Sequence, residues 1–317
     1  MAEKKRFFYG WLILLTCILI MGLGYAPLVS CASLFTKPVT EDLGFTRSGY
    51  ALVSTIAALM MAFMSPFIGK IMSKPYMHKA LVVCMIGNCL AYYCYSFAST
   101  LPQFYVTAAC IGFFECGSTM IPVSVLITNW FRKKRGLVMS IAMVGSSIGG
   151  TILSPIIGNL IASQGWRFTY KAVGITRLVI LVPLVLLVIR RTPADMGTKA
   201  YGADEEGETG KARKTEREWN VSLKEVKKKP MFWCFVLGCT LISATAAVIT
   251  QIPASVMDAG YATTTAASIA SLYLFIAIPG KLVLGHIYDR YGVKSGILFG
   301  NTMFFLSVVC LIFIKHQ

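Results

Sequence analysis

Three charged side chains lie deep inside long apolar runs, where a charge needs either a partner or a function. Lys281 follows Gly280 in one run, Glu115 lies midway along another, and Arg177 lies well inside a third. A charge in such surroundings is costly, so it often marks a binding site or a proton path. Lys281 could bind an anion, and Glu115 could carry a proton. Alternatively, Lys281 extends toward water, and Glu115 and Arg177 neutralise each other.

Long apolar runs make up most of the chain and must hold these charges in place. Hydrophobic residues are 56% and charged residues only 14% of the sequence, whereas soluble domains carry about 25% charged residues. Because lipid offers no hydrogen bonds, runs long enough to cross a bilayer must be helical. We expect an all-α membrane protein with nine spans, near residues 8–30, 50–72, 80–97, 103–130, 136–162, 168–189, 231–255, 265–288 and 295–314.

Basic residues are concentrated in alternate connections between the runs, which sets the expected orientation. The net charge is +16, but the lysines and arginines form short clusters and not one basic face, so nucleic acid is not an expected partner. The positive-inside rule places the N-terminus and the long central segment in the cytoplasm. The first run is too long for a cleavable signal. We therefore expect a multi-pass protein of the plasma membrane, surrounded by lipid.

The ten cysteines and three histidines do not form a pattern of metal ligands, and no two cysteines have the CxxC spacing. The cysteines lie within or at the ends of apolar runs, which is typical of small packing residues. The sequence also lacks a catalytic triad, a phosphate-binding loop and a nucleotide motif. We therefore expect no metal, no cofactor and no enzymatic or ATP-driven activity.

Two short patterns recur along the chain at the same offset. Asp42-Leu-Gly-Phe45 recurs as Asp258-Ala-Gly-Tyr261, and the segment 69–74 recurs as 285–290. A parallel repeat of this kind is typical of membrane proteins built from two related helical bundles. We expect a six-helix bundle at residues 1–191, a cytoplasmic linker at 192–230 and a partial second bundle of three helices at 231–317. Because a complete second unit would need three more helices, we expect a C-terminally truncated chain.

The second copy of the repeated loop carries the motif Gly-x-x-x-Asp-Arg-x-Gly-x-Lys at residues 285–294. Gly285 allows close helix packing, Gly292 turns the chain, and Asp289 and Arg290 lie at helix ends, where dipoles can hold charges. This motif resembles a loop of the major facilitator superfamily, which predicts a gate between two conformational states here. In the first copy, Ser73 replaces the aspartate, so a gate is not expected there.

Further short motifs narrow the resemblance to one branch of that superfamily. They are Phe8-Tyr-Gly-Trp11, Asn129-Trp-Phe131, Gly145 with Gly149 and Gly150, Gly165-Trp-Arg167, Ser222-Leu-Lys-Glu225 and Pro230-Met-Phe-Trp233. Their order and spacing resemble the oxalate/formate antiporter and monocarboxylate transporter branch. The resemblance implies a major facilitator fold of two bundles that carries small organic anions by alternating access, either in exchange for another anion or together with protons.

The same resemblance assigns roles to particular residues. In that branch a basic residue of the eighth helix binds the substrate carboxylate, and Lys281 occupies the matching position. Tyr25 and Tyr273 could stack on the substrate or simply pack, and Ser30 lies where oxalate-carrying relatives have bulkier residues, which predicts a wider pocket. Glu115 and Arg177 are the coupling candidates. The alternatives are another solute, such as a drug or sugar, and a truncated fragment that does not transport.

Overall fold

The computed structural model of the chain describes residues 8–202 and 223–314. Within these two ranges the chain is almost entirely helical and contains no β-strand, and one isolated backbone bridge joins Phe131 to Tyr201. The expected all-α fold is confirmed. It follows from the long apolar runs, because a helix satisfies the backbone hydrogen bonds that lipid cannot.

The helices within residues 8–191, called the first unit below, follow one another with short connections. They are α1 (Gly10–Leu19), α2 (Ala26–Val29), α3 (Thr36–Leu43), α4 (Arg47–Met72), α5 (Met77–Cys94), α6 (Leu101–Ser118), α7 (Met120–Trp130) and α8 (Arg135–Val188). A π-helical turn at Ile20–Tyr25 joins α1 to α2, and Thr119 alone separates α6 from α7. Single-turn π-helical insertions of this kind often occur at functional sites.

The described residues 223–314, called the second unit below, contain four helices. They are α9 (Leu223–Val226), α10 (Pro230–Thr250), α11 (Ile252–Asp258) and α12 (Thr263–Ile314). Among the described helices, α8 and α12 are longer than a bilayer requires, and each breaks at a glycine. The chain adopts φ +81° at Gly165 in α8 and φ +82° at Gly292 in α12. Glycine takes this conformation without steric cost. The chain therefore turns at Gly292, where the sequence predicts a turn, and also at Gly165.

Six stretches of the described residues are long and apolar enough to cross a membrane, and the two longest contain these glycine breaks. α10 is a further apolar helix of 21 residues. These features are those of a multi-pass membrane protein. The division into six spans and three spans remains a prediction.

The beginning of the predicted linker packs against the first unit. The backbone N–H of Tyr201 donates to the carbonyl of Trp130 at 2.9 Å, and the N–H of Arg132 donates to the carbonyl of Tyr201 at 3.0 Å. Trp130 Nε1 also donates to the Arg190 carbonyl at 2.9 Å. Residues up to 202 therefore pack with the first unit, and residues 203–222 of the predicted linker lie outside the described ranges.

The two units meet mainly where residues 135–164 of α8 run antiparallel to residues 263–291 of α12. Small side chains at regular intervals allow this close approach. The neighbouring pairs are Gly136 with Asp289, Ser140 with Gly285, Gly150 with Leu274, Thr151 with Ser271, and Gly158 with Ala267. This seam holds the middle of α12, and therefore Lys281, against the first unit.

Candidate functional site

Lys281 reaches across the seam between the two units. Its Nζ donates to Ser146 Oγ at 2.8 Å and to the Met143 carbonyl at 3.1 Å, and both acceptors belong to α8. Along the seam this contact lies between the Gly285 and Leu274 contacts. The Lys281 side chain therefore points sideways to α8. A lysine that extended toward water would instead point along α12 toward Asp289.

The acceptors of the Lys281 ammonium are both neutral. Within residues 8–202 and 223–314, no aspartate or glutamate lies within 4.0 Å of its Nζ. The side chain is half-buried. An ammonium group has three N–H donors, and two of them are used by α8. The seam thus contains a cation that has hydrogen bonds but no counter-charge.

Ser30 lies on the same seam, close to the middle of α8. A Cβ built on Gly150 would lie 3.2 Å from the Cβ of Ser30 and 2.6 Å from Leu274 Cδ1. The absence of a side chain at Gly150 therefore lets Ser30 and α12 approach the same point of α8. Tyr25 and Tyr273 are half-buried, and neither phenol hydroxyl hydrogen-bonds to another described residue.

Glu115 lies in a different environment, entirely within the first unit. It is 5% exposed. Its Oε2 accepts from Asn88 Nδ2 at 2.7 Å, and its Oε1 accepts from Thr119 Oγ1 at 2.8 Å. The Thr119 hydroxyl also lies 3.1 Å from the carbonyl oxygen of Glu115, in the preceding turn of the helix. Both carboxylate oxygens therefore have a neighbouring donor.

Arg177 is connected to Glu115 through the Asn88 side chain. Arg177 is 1% exposed and Asn88 is fully buried. Arg177 Nη2 donates to Asn88 Oδ1 and, at 2.9 Å, to the carbonyl of Gly24, while the guanidinium carbon lies 4.9 Å from the ring centroid of Tyr92. The opposite charges are thus bridged by an amide and are not in direct contact. Among the described residues, Arg177 Nε and Nη1 have no hydrogen-bond partner.

The π-helical turn connects this cluster to the seam. The Gly24 carbonyl in that turn accepts from Arg177, and Gly22 in the same turn packs against α8. A Cβ on Gly22 would lie 3.1 Å from the carbonyl oxygen of Gly145 and 3.6 Å from Cα of Gly149. The turn therefore contacts Arg177 through Gly24 and the stretch of α8 beside Lys281 through Gly22, while no hydrogen bond among the described residues joins the Glu115 cluster directly to Lys281.

Charged contacts join the two units at both ends of the seam. At one end, Asp289 accepts from the backbone N–H groups of Gly136 at 3.0 Å and Leu137 at 2.7 Å, in the first turn of α8. A carboxylate is favourable there because it satisfies donors that the helix leaves unpaired. At the other end, Arg47, the first residue of α4, pairs with Asp258, the last residue of α11.

The remaining residues of the predicted gate have distinct surroundings. Gly285 packs directly against α8, since a Cβ at this position would overlap the Ser140 side chain. Arg290 is exposed, and its guanidinium carbon lies 5.6 Å from the ring centroid of Tyr291. Of the four gate residues, Gly285 and Asp289 therefore contact the first unit, and Gly292 turns the chain. Arg290 lies outside that contact.

Sequence reasoning missed the residues that partner the predicted charges. Asn88 is the one amide side chain in α5, which is a signal for a buried polar partner. Thr119 follows Glu115 by four residues and so lies on the same helix face. The position of Ser146 between Gly145 and Gly149 indicates helix packing or a lining role, and not a contact with Lys281, because that partner comes from the second unit. The carbonyl of Met143 leaves no sequence signal at all.

The fold and the sites define a class of protein: a multi-pass α-helical membrane protein with a lysine where α12 packs against α8. The sequence pattern of the Major Facilitator Superfamily matches residues 12–317. The chain belongs to that superfamily.

The similar proteins agree with this assignment. The chain is 24% identical over 229 residues to "Monocarboxylate transporter 2" of Homo sapiens, covering 71% of this chain and 45% of that protein. It is 26% identical to "MFS-type transporter pytF" of Aspergillus terreus, covering 66% and 62%. The chain therefore spans about half to two-thirds of the length of these curated relatives.

A solved structure confirms the fold. The crystal structure of a bacterial homolog to the human lysosomal transporter Spinster, in an inward-facing and unoccupied conformation, matches with a TM-score of 0.69. The match covers 92% of this chain and 64% of that one, at 17% sequence identity. At this identity the likeness establishes the fold and leaves the solute open.

Proposed function

We propose that this protein is a secondary active transporter of small organic anions, and that Lys281 binds the substrate carboxylate. One observation carries the proposal: Lys281 is a cation on the seam between the two units, and its hydrogen-bond partners are all neutral. A carboxylate supplies the missing counter-charge and can accept the third N–H of the ammonium group. The monocarboxylate transporters among the similar proteins support an organic anion as the solute.

The position of Lys281 also suits alternating access. In this mechanism two bundles rock about a central site, so a residue at their interface meets the solute in both states. We assign the first bundle to residues 1–191, the linker to 192–230 and the second bundle to 231–317. Contacts at the Asp289 end of the seam would open in one state, and those at the Asp258 end would open in the other.

The choice between anion exchange and proton symport depends on the cluster of Glu115 and Arg177. Anion exchange needs Lys281 alone, whereas proton symport also needs a group that gains and loses a proton. Glu115 is the candidate for that group, and Arg177 is the charge that senses its ionisation through Asn88. The structural alternative is that Glu115 and Arg177 only stabilise the first bundle. In both cases we place the protein in the plasma membrane with its N-terminus in the cytoplasm.

The test of the proposal is transport by the purified chain in proteoliposomes. Uptake of radiolabelled formate, pyruvate, lactate and oxalate is measured for the native protein, Lys281→Met and Lys281→Arg. Lys228→Met is the control, because Lys228 is an exposed lysine that lies outside the seam and the predicted gate motif. We expect Lys281→Met to lower kcat/KM about 100-fold, as loss of a charge-assisted hydrogen bond predicts. Lys281→Arg should retain part of the activity, and Lys228→Met nearly all of it.

Three results would contradict the proposal. Unchanged anion uptake by Lys281→Met would remove Lys281 from the binding site. Uptake of a sugar or a drug but of none of the four anions would assign the protein to another solute. Absence of both binding and uptake by the native chain would favour a fragment that does not transport.

A further inference from the structure

The hydroxyl of Ser146, on α8 of the first unit, is in direct contact with Lys281 of the second unit. Ser146 Oγ accepts from Lys281 Nζ at 2.8 Å and donates to the carbonyl of Met143 at 2.8 Å. The same carbonyl accepts from Lys281 at 3.1 Å. Three polar groups thus form a closed ring across the seam, and the serine is 6% exposed. Its one hydroxyl proton is used on a carbonyl that already has another donor.

We propose that Ser146 is the second group that contacts the transported carboxylate, so that the anion site is shared by the two units. This inference rests on the proposed function of Lys281. When a carboxylate binds to Lys281, the Ser146 hydroxyl rotates away from the Met143 carbonyl and donates to a carboxylate oxygen. Lys281 then contributes one donor from the second unit, and Ser146 contributes one from the first.

The exchange of partners is favourable for both side chains. A hydroxyl needs only a rotation about its Cβ–Oγ bond to redirect its proton, so the backbone of α8 stays in place. Hydrogen bonds to an ionised acceptor are roughly twice as strong as those between neutral groups. The Met143 carbonyl loses one of its two side-chain donors and keeps its place in the helix. The carboxylate therefore replaces a neutral acceptor at little structural cost.

The arrangement explains how a solute can be sensed at the interface. In the described conformation, Lys281 is attached to atoms of the first unit. A bound carboxylate would take over part of this attachment, so the units would be joined through the solute. Ser146 would then determine how tightly an anion is held, because its hydroxyl donates from the first unit to an anion that Lys281 holds from the second.

The adjacent Ser147 provides a matched control. It is fully buried, and its hydroxyl has no hydrogen-bond partner among the described residues. Successive residues of a helix point about 100° apart, so Ser147 does not share the Lys281 contact. Ser146→Ala and Ser147→Ala make the same chemical change on neighbouring faces of α8, and Ser146→Thr keeps the hydroxyl at the proposed site.

The experiment measures KM and kcat for uptake of the transported anion in proteoliposomes, together with Kd for the radiolabelled anion bound to purified protein. We expect Ser146→Ala to raise KM and Kd about 10-fold while kcat changes less than about 2-fold, since a contact present throughout transport affects binding and not turnover. Ser146→Thr should stay within about 3-fold of the native KM. Ser147→Ala should not change KM.

The outcomes separate this inference from the proposed function. If Lys281→Met abolishes uptake while Ser146→Ala leaves KM and Kd unchanged, the serine is not a substrate contact and only this inference fails. A lower kcat at constant KM would also overturn it, because the serine would then act on the interface and not on the anion. If Lys281→Met leaves uptake intact, the proposed function fails, and this inference fails with it.

Discussion

Two buried charge sites in the molecule are built in opposite ways. Glu115 and Arg177 belong to one unit and are joined through the amide of Asn88, so their charges compensate each other within that unit. Lys281 belongs to the other unit, and its two acceptors are neutral groups of α8. The first site is internally balanced, whereas the second has a net charge and partners on the opposite side of an interface.

This difference separates a stabilising role from an exchangeable one. When two bundles move against each other, contacts within a bundle persist and contacts between bundles change. In the proposed mechanism the partners of Glu115 and Arg177 would therefore remain the same in every state, while those of Lys281 would be open to replacement by a solute. The comparison argues for a mainly structural role of the Glu115 cluster and for a binding role of Lys281.

The largest expected effect is loss of stability on removal of Arg177. Arg177→Met leaves Glu115 buried without its opposite charge, and breaking a buried pair in this way costs about 3–5 kcal/mol. Lys281→Met removes a cation that has only neutral partners, so the free energy of unfolding should change by less than about 1 kcal/mol. Both are measured by reversible unfolding in mixed detergent micelles, from the denaturant midpoint and slope.

The double variant Glu115→Gln/Arg177→Met tests the cause of that loss. It removes both charges together, so it should recover at least half of the stability that Arg177→Met loses. If Lys281→Met proves as destabilising as Arg177→Met, the two sites are equivalent structurally and the comparison fails.

A smaller loss is expected when the bridge between the two charges is removed. Asn88→Leu keeps approximately the same volume but deletes one donor to Glu115 and one acceptor of Arg177, which should cost roughly 2–3 kcal/mol. The control is Asn159→Leu, which changes an exposed amide of α8. Equal stability of the two variants would show that the charges interact directly and do not need the amide.

The sequence predicts the elements of this fold better than it predicts their partners. Apolar run length and composition predict the membrane-crossing helices, and the glycine motif predicts the turn at Gly292. The burial of Glu115 and Arg177 also follows from their positions in apolar runs. These features depend on residues close together in the chain, where helical geometry translates spacing into position.

The partners depend on how separate helices pack. Asn88 meets Glu115 and Arg177 only because α5, α6 and α8 have one particular rotation and depth relative to one another. In the same way, the contact of Lys281 with Ser146 depends on the antiparallel register of the seam. The attachment of Tyr201 to Trp130 turns the beginning of the predicted linker into part of the first unit. A single sequence contains no direct signal for any of these long-range registers.

The smallest expected effect compares the two hydroxyl groups that contact the two charges. Thr119→Val removes a hydroxyl that donates to Glu115 within the first unit, and should lower the free energy of unfolding by about 1 kcal/mol. Ser146→Ala removes an acceptor of Lys281, but the Met143 carbonyl remains, so the loss should stay below about 0.5 kcal/mol. Unfolding and anion binding are measured on the same preparations.

Thr119→Val and Ser146→Ala should therefore have opposite effects on stability and on anion binding. Thr119→Val should weaken folding and leave Kd for the anion unchanged, because Glu115 and its donors lie within one unit. Ser146→Ala should leave folding nearly unchanged and weaken anion binding, because its hydroxyl faces the exchangeable charge. A shift in Kd caused by Thr119→Val would connect Glu115 to the anion site, which would restore the coupling role of that carboxylate and replace the structural interpretation.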